Sequence, residues 1–111
     1  MLKLYWMDTK DNKYILGDLY KDNDQYVFEI NQQGLKEATN NGCFGIGELN
    51  LLYSKHVSDT LFDFFKRRIP SENDVNINEI LAELQMDKYD EMELLRRTKG
   101  QMFTDRYFLE E

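Results

Sequence analysis

Cysteine, histidine and proline each occur once in the 111 residues, as Cys43, His56 and Pro70. A single cysteine cannot form an intramolecular disulfide, and one thiol with one imidazole is too few for a structural zinc site. Long apolar runs are missing too. No window approaches the ~18 residues of a membrane span, and the opening Met-Leu-Lys-Leu-Tyr-Trp-Met-Asp lacks a signal peptide's apolar core and cleavage site. The expectation is a reducing, cytoplasmic setting with no membrane association. Basic residues are in deficit, with 14 Lys and Arg against 21 Asp and Glu, a net charge of -7. Neither part is cationic: residues 1–55 carry 6 basic and 8 acidic side chains, and the remainder 8 and 13. Broad attraction to nucleic acid or anionic lipid, which depends on Lys and Arg, is disfavoured.

What the sequence does have is rings. Seven Tyr, seven Phe and one Trp make up 14% of the chain. That supply of bulky apolar groups separates it from disordered acidic chains. A chain of this length encloses one core, so residues 1–111 read as a single domain and large multidomain enzymes are excluded.

The first part, residues 1–53, reads mostly as strands. Leu2, Leu4 and Trp6 alternate with Lys3 and Tyr5, and the turn-forming Asp8-Thr9-Lys10-Asp11-Asn12 follows. Tyr14–Tyr20 is the return strand, with Gly17 marking a bulge or a close backbone approach. After the polar Lys21–Gln25, the run Tyr26-Val27-Phe28-Glu29-Ile30 completes a three-stranded meander. Gln33–Thr39 reads as a helical turn at most, and Glu48–Tyr53 as a strand or a buried extended segment.

Residues 58–97 read mostly as helices. Ser58 is placed to cap a helix over Asp59–Arg68, with acids in its first turns and bases in its last. Pro70 ends it. A second helix starts after Asn76, with Glu79 completing a capping box, and carries Ile77, Ile80, Leu81 and Leu84 on one face. A third spans Tyr89–Arg97 and stops at Gly100. Residues 101–111 read as a final strand or a tail. The predicted fold is α+β: a small antiparallel sheet, curved or barrel-like, packed by two to three helices.

Catalytic patterns are sparse. Gly45-Ile46-Gly47 has Asn50 where a nucleotide-binding loop needs its third glycine, so it reads as a tight turn. His56, with Asp59 as its one local acid, reads as a solvent-facing residue where a helix begins. Cys43 reads as a small buried hydrophobe. The acidic pairs Asp22/Asp24 and Asp90/Glu91/Glu93 sit at a turn and a helix start, where solvation and the helix dipole explain them. No enzyme, cofactor or metal is expected. Two features point to a partner. Lys66-Arg67-Arg68 ends a helix, and the ring surplus exceeds what a small core readily hides, which favours an exposed aromatic interface. The candidate partner-binding residues are Phe64, Lys66, Arg67, Arg68 and Tyr53. A nucleic-acid module using the same basic cluster, with Tyr53, Phe64 or Tyr107 as stacking platforms, is the alternative. Self-association is left open.

Four segments carry a family resemblance: Leu16-Gly17-Asp18-Leu19, Tyr26-Val27-Phe28-Glu29-Ile30, Leu49-Asn50-Leu51-Leu52 and Leu61-Phe62-Asp63-Phe64-Phe65. With the exit Lys66-Arg67-Arg68-Ile69-Pro70-Ser71-Glu72 and the later Tyr89–Leu95, they resemble the N-terminal subdomain of HipA-type toxin kinases. The family's proline in the third segment is lacking here, and Arg96-Arg97-Thr98-Lys99-Gly100-Gln101 replaces its usual continuation. The resemblance implies an accessory subdomain without kinase activity. It would bind and restrain a separate kinase-like protein, or contact a DNA-binding repressor, in a toxin–antitoxin system.

Overall fold

A computed structural model describes residues 1–111. Strands β1 (Leu2–Met7), β2 (Lys13–Asp22) and β3 (Gln25–Ile30) form the expected meander. The period-2 pattern resolves as read: Leu2, Leu4 and Trp6 are buried while Lys3, Tyr5 and Met7 are partly exposed. The β1–β2 turn is organised by Asp8. Its carboxylate accepts bonds from the Lys10 and Asn12 amide N–H groups, the Asn12 side chain and the Tyr14 hydroxyl at 2.8–3.1 Å. Gly17 does both things expected of it. Leu4 and Tyr5 pair with Gly17 and Ile15, so Leu16 is the extra residue of a bulge. A Cβ at Gly17 would lie 2.4 Å from the Glu29 carbonyl and 2.5 Å from the Phe28 ring.

Helix α1 (Gln32–Asn40) follows, nine residues where only a turn is expected. Asn31 caps it by accepting from the Gly34 N–H, and Leu35 and Ala38 are buried. Its interior Gly34 is what weakened the helical pattern. That glycine is required because a Cβ there would sit 1.8 Å from the Ile15 carbonyl. Residues 48–53 are turns and not a strand. Leu49 and Leu51 pack against the core, but Leu52 and Tyr53 face solvent. The strand lies one step later, as β4 (Lys55–Ser58), paired with β3.

That pairing shortens the expected Asp59–Arg68 helix to α2 (Asp63–Lys66). Ser58 belongs to β4, and its hydroxyl accepts only from Thr60 N–H. Glu48 instead receives the Phe64 N–H at 2.7 Å. Helix α3 (Ile77–Glu83) begins after Asn76 as read, although Asn76 makes no side-chain cap, and of its apolar stripe Leu81 alone is buried. Helix α4 (Glu91–Thr98) is capped by Asp90 through Glu93 N–H, and the chain turns at Lys99 and Gly100 in left-handed conformations. The tail is a strand, β5 (Tyr107–Glu110), antiparallel to β1.

The architecture is α+β: five antiparallel strands in the order β4-β3-β2-β1-β5, packed by helices. The sheet is open, with β4 and β5 as its edges, so it is not a barrel. One face carries the core. Leu4, Leu19, Phe28 and Leu109 pack there against Leu35, Ile46, Phe65 and Leu95. The opposite face is more open, with Tyr5, Tyr20 and Val57 partly exposed, although Val27 and Phe108 on it are buried.

Candidate docking surface

The α2 exit does not present the expected basic cluster. Arg68 is buried at 8% exposure. Its guanidinium lies 4.3 Å from the Phe64 ring centre and 5.1 Å from that of Tyr107. It donates to the Gly100 carbonyl at 3.0 Å and to both oxygens of Asp105, at 3.2 and 2.5 Å. Phe64 is buried as well, at 4%, edge-on to Phe65 and Tyr107. Both are therefore corrected from partner-binding candidates to core residues: consecutive rings at 64 and 65 point inward, and Arg68 covers them. Lys66 and Arg67 remain exposed, and Arg67 lies 3.7 Å from Glu48. Tyr53 is exposed beside β4, within T-shaped range of His56. Of the rings in the nucleic-acid reading, Phe64 and Tyr107 meet edge-on at 5.0 Å around the buried Arg68, and Tyr53 lies apart beside β4.

His56 does not lead into a helix. It is a β4 residue whose Nε2 lies 2.9 Å from the Asn50 carbonyl and whose ring meets Phe62 edge-on. Cys43 is buried, with Sγ 3.6 Å from the Gly45 carbonyl and 3.7 Å from the Tyr107 hydroxyl. Burial first, and the contact with Cys43 second, push the Tyr107 hydroxyl pKa well above its ordinary range, so it stays protonated.

The sheet face opposite the core carries its own rings, with Tyr5 and Tyr20 partly exposed and Phe108 and Val27 buried among their neighbours. Register fixes its pattern. A charged row, Glu110–Lys3–Asp18–Glu29–Lys55, crosses all five strands. On one side of it lie Phe108, Tyr5 and Ile15, and on the other Tyr20, Val27 and Val57. Tyr5 and Phe108 stack at 5.5 Å, and Lys13 Nζ sits 4.4 Å above the Tyr5 ring. Tyr20 bonds Glu29, and that bond, ahead of burial, lifts its hydroxyl pKa to about 12.

At the β5 edge this face runs into a groove of about 610 Å³, with Met7, Phe108, Met102 and Phe103 among its apolar lining and Lys99 and Arg106 among its polar lining. Phe103 is entirely exposed, and Met102 is 38% exposed. Arg106 is fixed there by donating to the Met7 and Asp8 carbonyls, both at 2.7 Å. Asp105 is held by Arg68, and the two cations at the groove are paired as well, Arg106 with Asp11 at 3.1 Å and Lys99 with Glu110 at 4.0 Å. Phe103 is one of two fully exposed phenylalanines, with Phe44, and the one of the two that lines a groove together with other apolar side chains. Of the groove residues only Tyr107 was singled out in the sequence, as a stacking platform. The available signal was the apolar pair Met102-Phe103 between Gly100 and Asp105-Arg106.

A second cleft of similar volume lies between the end of α2 and the start of α4, where Tyr26 donates to Glu91 at 2.8 Å and Tyr89 to the Pro70 carbonyl at 2.7 Å. No group of three or more His, Cys, Asp or Glu side chains is arranged to hold a metal ion, and no helix is long and apolar enough to cross a membrane. Compared with protein-family models, curated proteins and solved structures, the chain matches none.

Proposed function

We propose that this chain is a non-enzymatic protein-interaction module that docks a kinase-like partner through the more open sheet face and the adjoining groove. The observation that carries the reading is the fully exposed Phe103, with the partly exposed Met102, in a groove whose lining includes Phe108, itself stacked on the partly exposed Tyr5. Aromatic groups of this kind dominate binding energy when a partner dehydrates them.

The resemblance to the HipA-type N-terminal subdomain directs the first test to a HipA-type kinase body from the same host. Calorimetric titration of that kinase with the purified chain should show saturable binding. Phe103→Ala should weaken it at least tenfold, about 1.4 kcal/mol, while leaving the melting temperature unchanged. Absence of binding, or binding indifferent to the substitution, would count against the proposal.

A further inference from the structure

The two edges of the sheet are treated differently. At β5 the Leu109 N–H is tied to the Lys99 carbonyl at 2.8 Å, so the end of α4 covers that edge. At β4 nothing does. The Ile30 N–H donates to the Ser54 carbonyl at 2.7 Å, which sets the β3–β4 ladder. Bonded pairs alternate along an antiparallel ladder, so His56 and Ser58 face β3 while the backbone groups of Lys55 and Val57 point outward. Neither residue makes a backbone bond to a turn or loop. The strand is also held in shape at both ends: Gln32 donates to Ser54 at 3.2 Å and Gln25 to Asp59 at 2.9 Å.

We propose that β4 is a self-association edge, on which a second copy of this chain pairs its own β4 antiparallel about a two-fold axis at Val57. The side-chain pattern selects both the occupant and the register. Val57 is 51% exposed and would meet Val57 of the second copy at the axis. Two residues to either side, Lys55 would face Asp59 of the other copy, and the symmetry repeats that pair. Lys55 has no ion-pair partner within the chain. Centring the axis on Lys55 would oppose two lysines, and centring it on His56 would leave each lysine opposite a valine. Lys55 therefore guards the edge against other pairings while permitting this one. Because the pairing extends the sheet at the edge remote from β5, it leaves the docking groove free.

Sedimentation velocity on the full chain, over roughly a hundredfold range of concentration, reads the monomer–dimer equilibrium directly. Dimer should accumulate as concentration rises. Val57→Pro should abolish it with the far-UV spectrum unchanged, since the lost N–H is not part of the β3 ladder. Should that variant fail to fold, charge exchange decides: Lys55→Asp or Asp59→Lys alone should weaken the dimer about tenfold, and the two together should restore it. Monomer at every concentration, a dimer that survives Val57→Pro, or single-charge defects not rescued by the double exchange would each overturn the proposal. No partner is present in this measurement, so its failure leaves the docking proposal standing.

Discussion

Removing Asp105 should destabilise this domain more than removing Arg68, although the arginine is the more deeply buried. The Arg68 side chain is 3% exposed and that of Asp105 26%. Asp105→Ala strands a buried guanidinium with one carbonyl acceptor and two ring faces, and its Nε already lacks a partner. Breaking a fully buried pair in this way costs about 3–5 kcal/mol. The partial exposure of Asp105 lets water replace some of the lost interaction, which brings the expectation to about 2–3 kcal/mol. Arg68→Met keeps an apolar stem between Phe64 and Tyr107 and leaves a carboxylate that water can reach, so about 1–2 kcal/mol is expected.

At about 4 °C per kcal/mol for a chain of this size, melting should fall by about 8–12 °C for Asp105→Ala and about 4–8 °C for Arg68→Met. The double variant should lose less than the sum of the two. Thermal and urea unfolding followed by circular dichroism provide the assay. An Asp105→Ala cost below that of Arg68→Met, or strict additivity, would refute the idea that this carboxylate neutralises a buried charge. The bridge also ties together Gly100 and Asp105 on either side of the turn that carries Phe103, on which the proposed docking rests.

Gly34→Ala would ordinarily stabilise a helix interior by about 1 kcal/mol. Here it should cost about 3 kcal/mol, because the new methyl would overlap the Ile15 carbonyl; a melting temperature that rises would contradict the α1–β2 packing. Asp8 offers a pH test. Burial alone would raise its pKa, but the donors from Asn12, Tyr14 and Lys10 outweigh that and hold it at about 2. Since this lies below the unfolded value, its contribution is present above about pH 4 and is lost as pH falls toward 2. Asp8→Asn should flatten stability over that interval, and an unchanged acid-unfolding profile would argue against the carboxylate-centred turn.

The meander was legible because alternation along β1 and the β-branched and aromatic content of β3 coincide with burial on one face. Gly17 and Gly100 likewise announced a bulge and a helix stop by local chemistry. The expected helix over Asp59–Arg68 had correct dipole chemistry, yet Lys55–Ser58 pairs with β3, and the chain from Asp59 to Phe62 is spent leaving the sheet. Local propensity could not report that long-range pairing. The same limit applies to the site. Arg68 looked like surface charge because Asp105, which neutralises it, lies 37 positions away. Phe103 carries no periodic pattern, and its exposure arises only when β5 joins β1 and leaves the preceding turn outside.

The central claim is that the more open sheet face and its groove form a protein-docking surface. Amide chemical-shift mapping of the isotopically labelled chain, titrated with a HipA-type kinase body from the host, tests it most directly. The account predicts perturbations concentrated at Tyr5, Met7, Phe103 and Phe108, with the core-facing strand residues and α3 unaffected. A spectrum that does not change, or changes confined to α3 or to the cleft between α2 and α4, would contradict it.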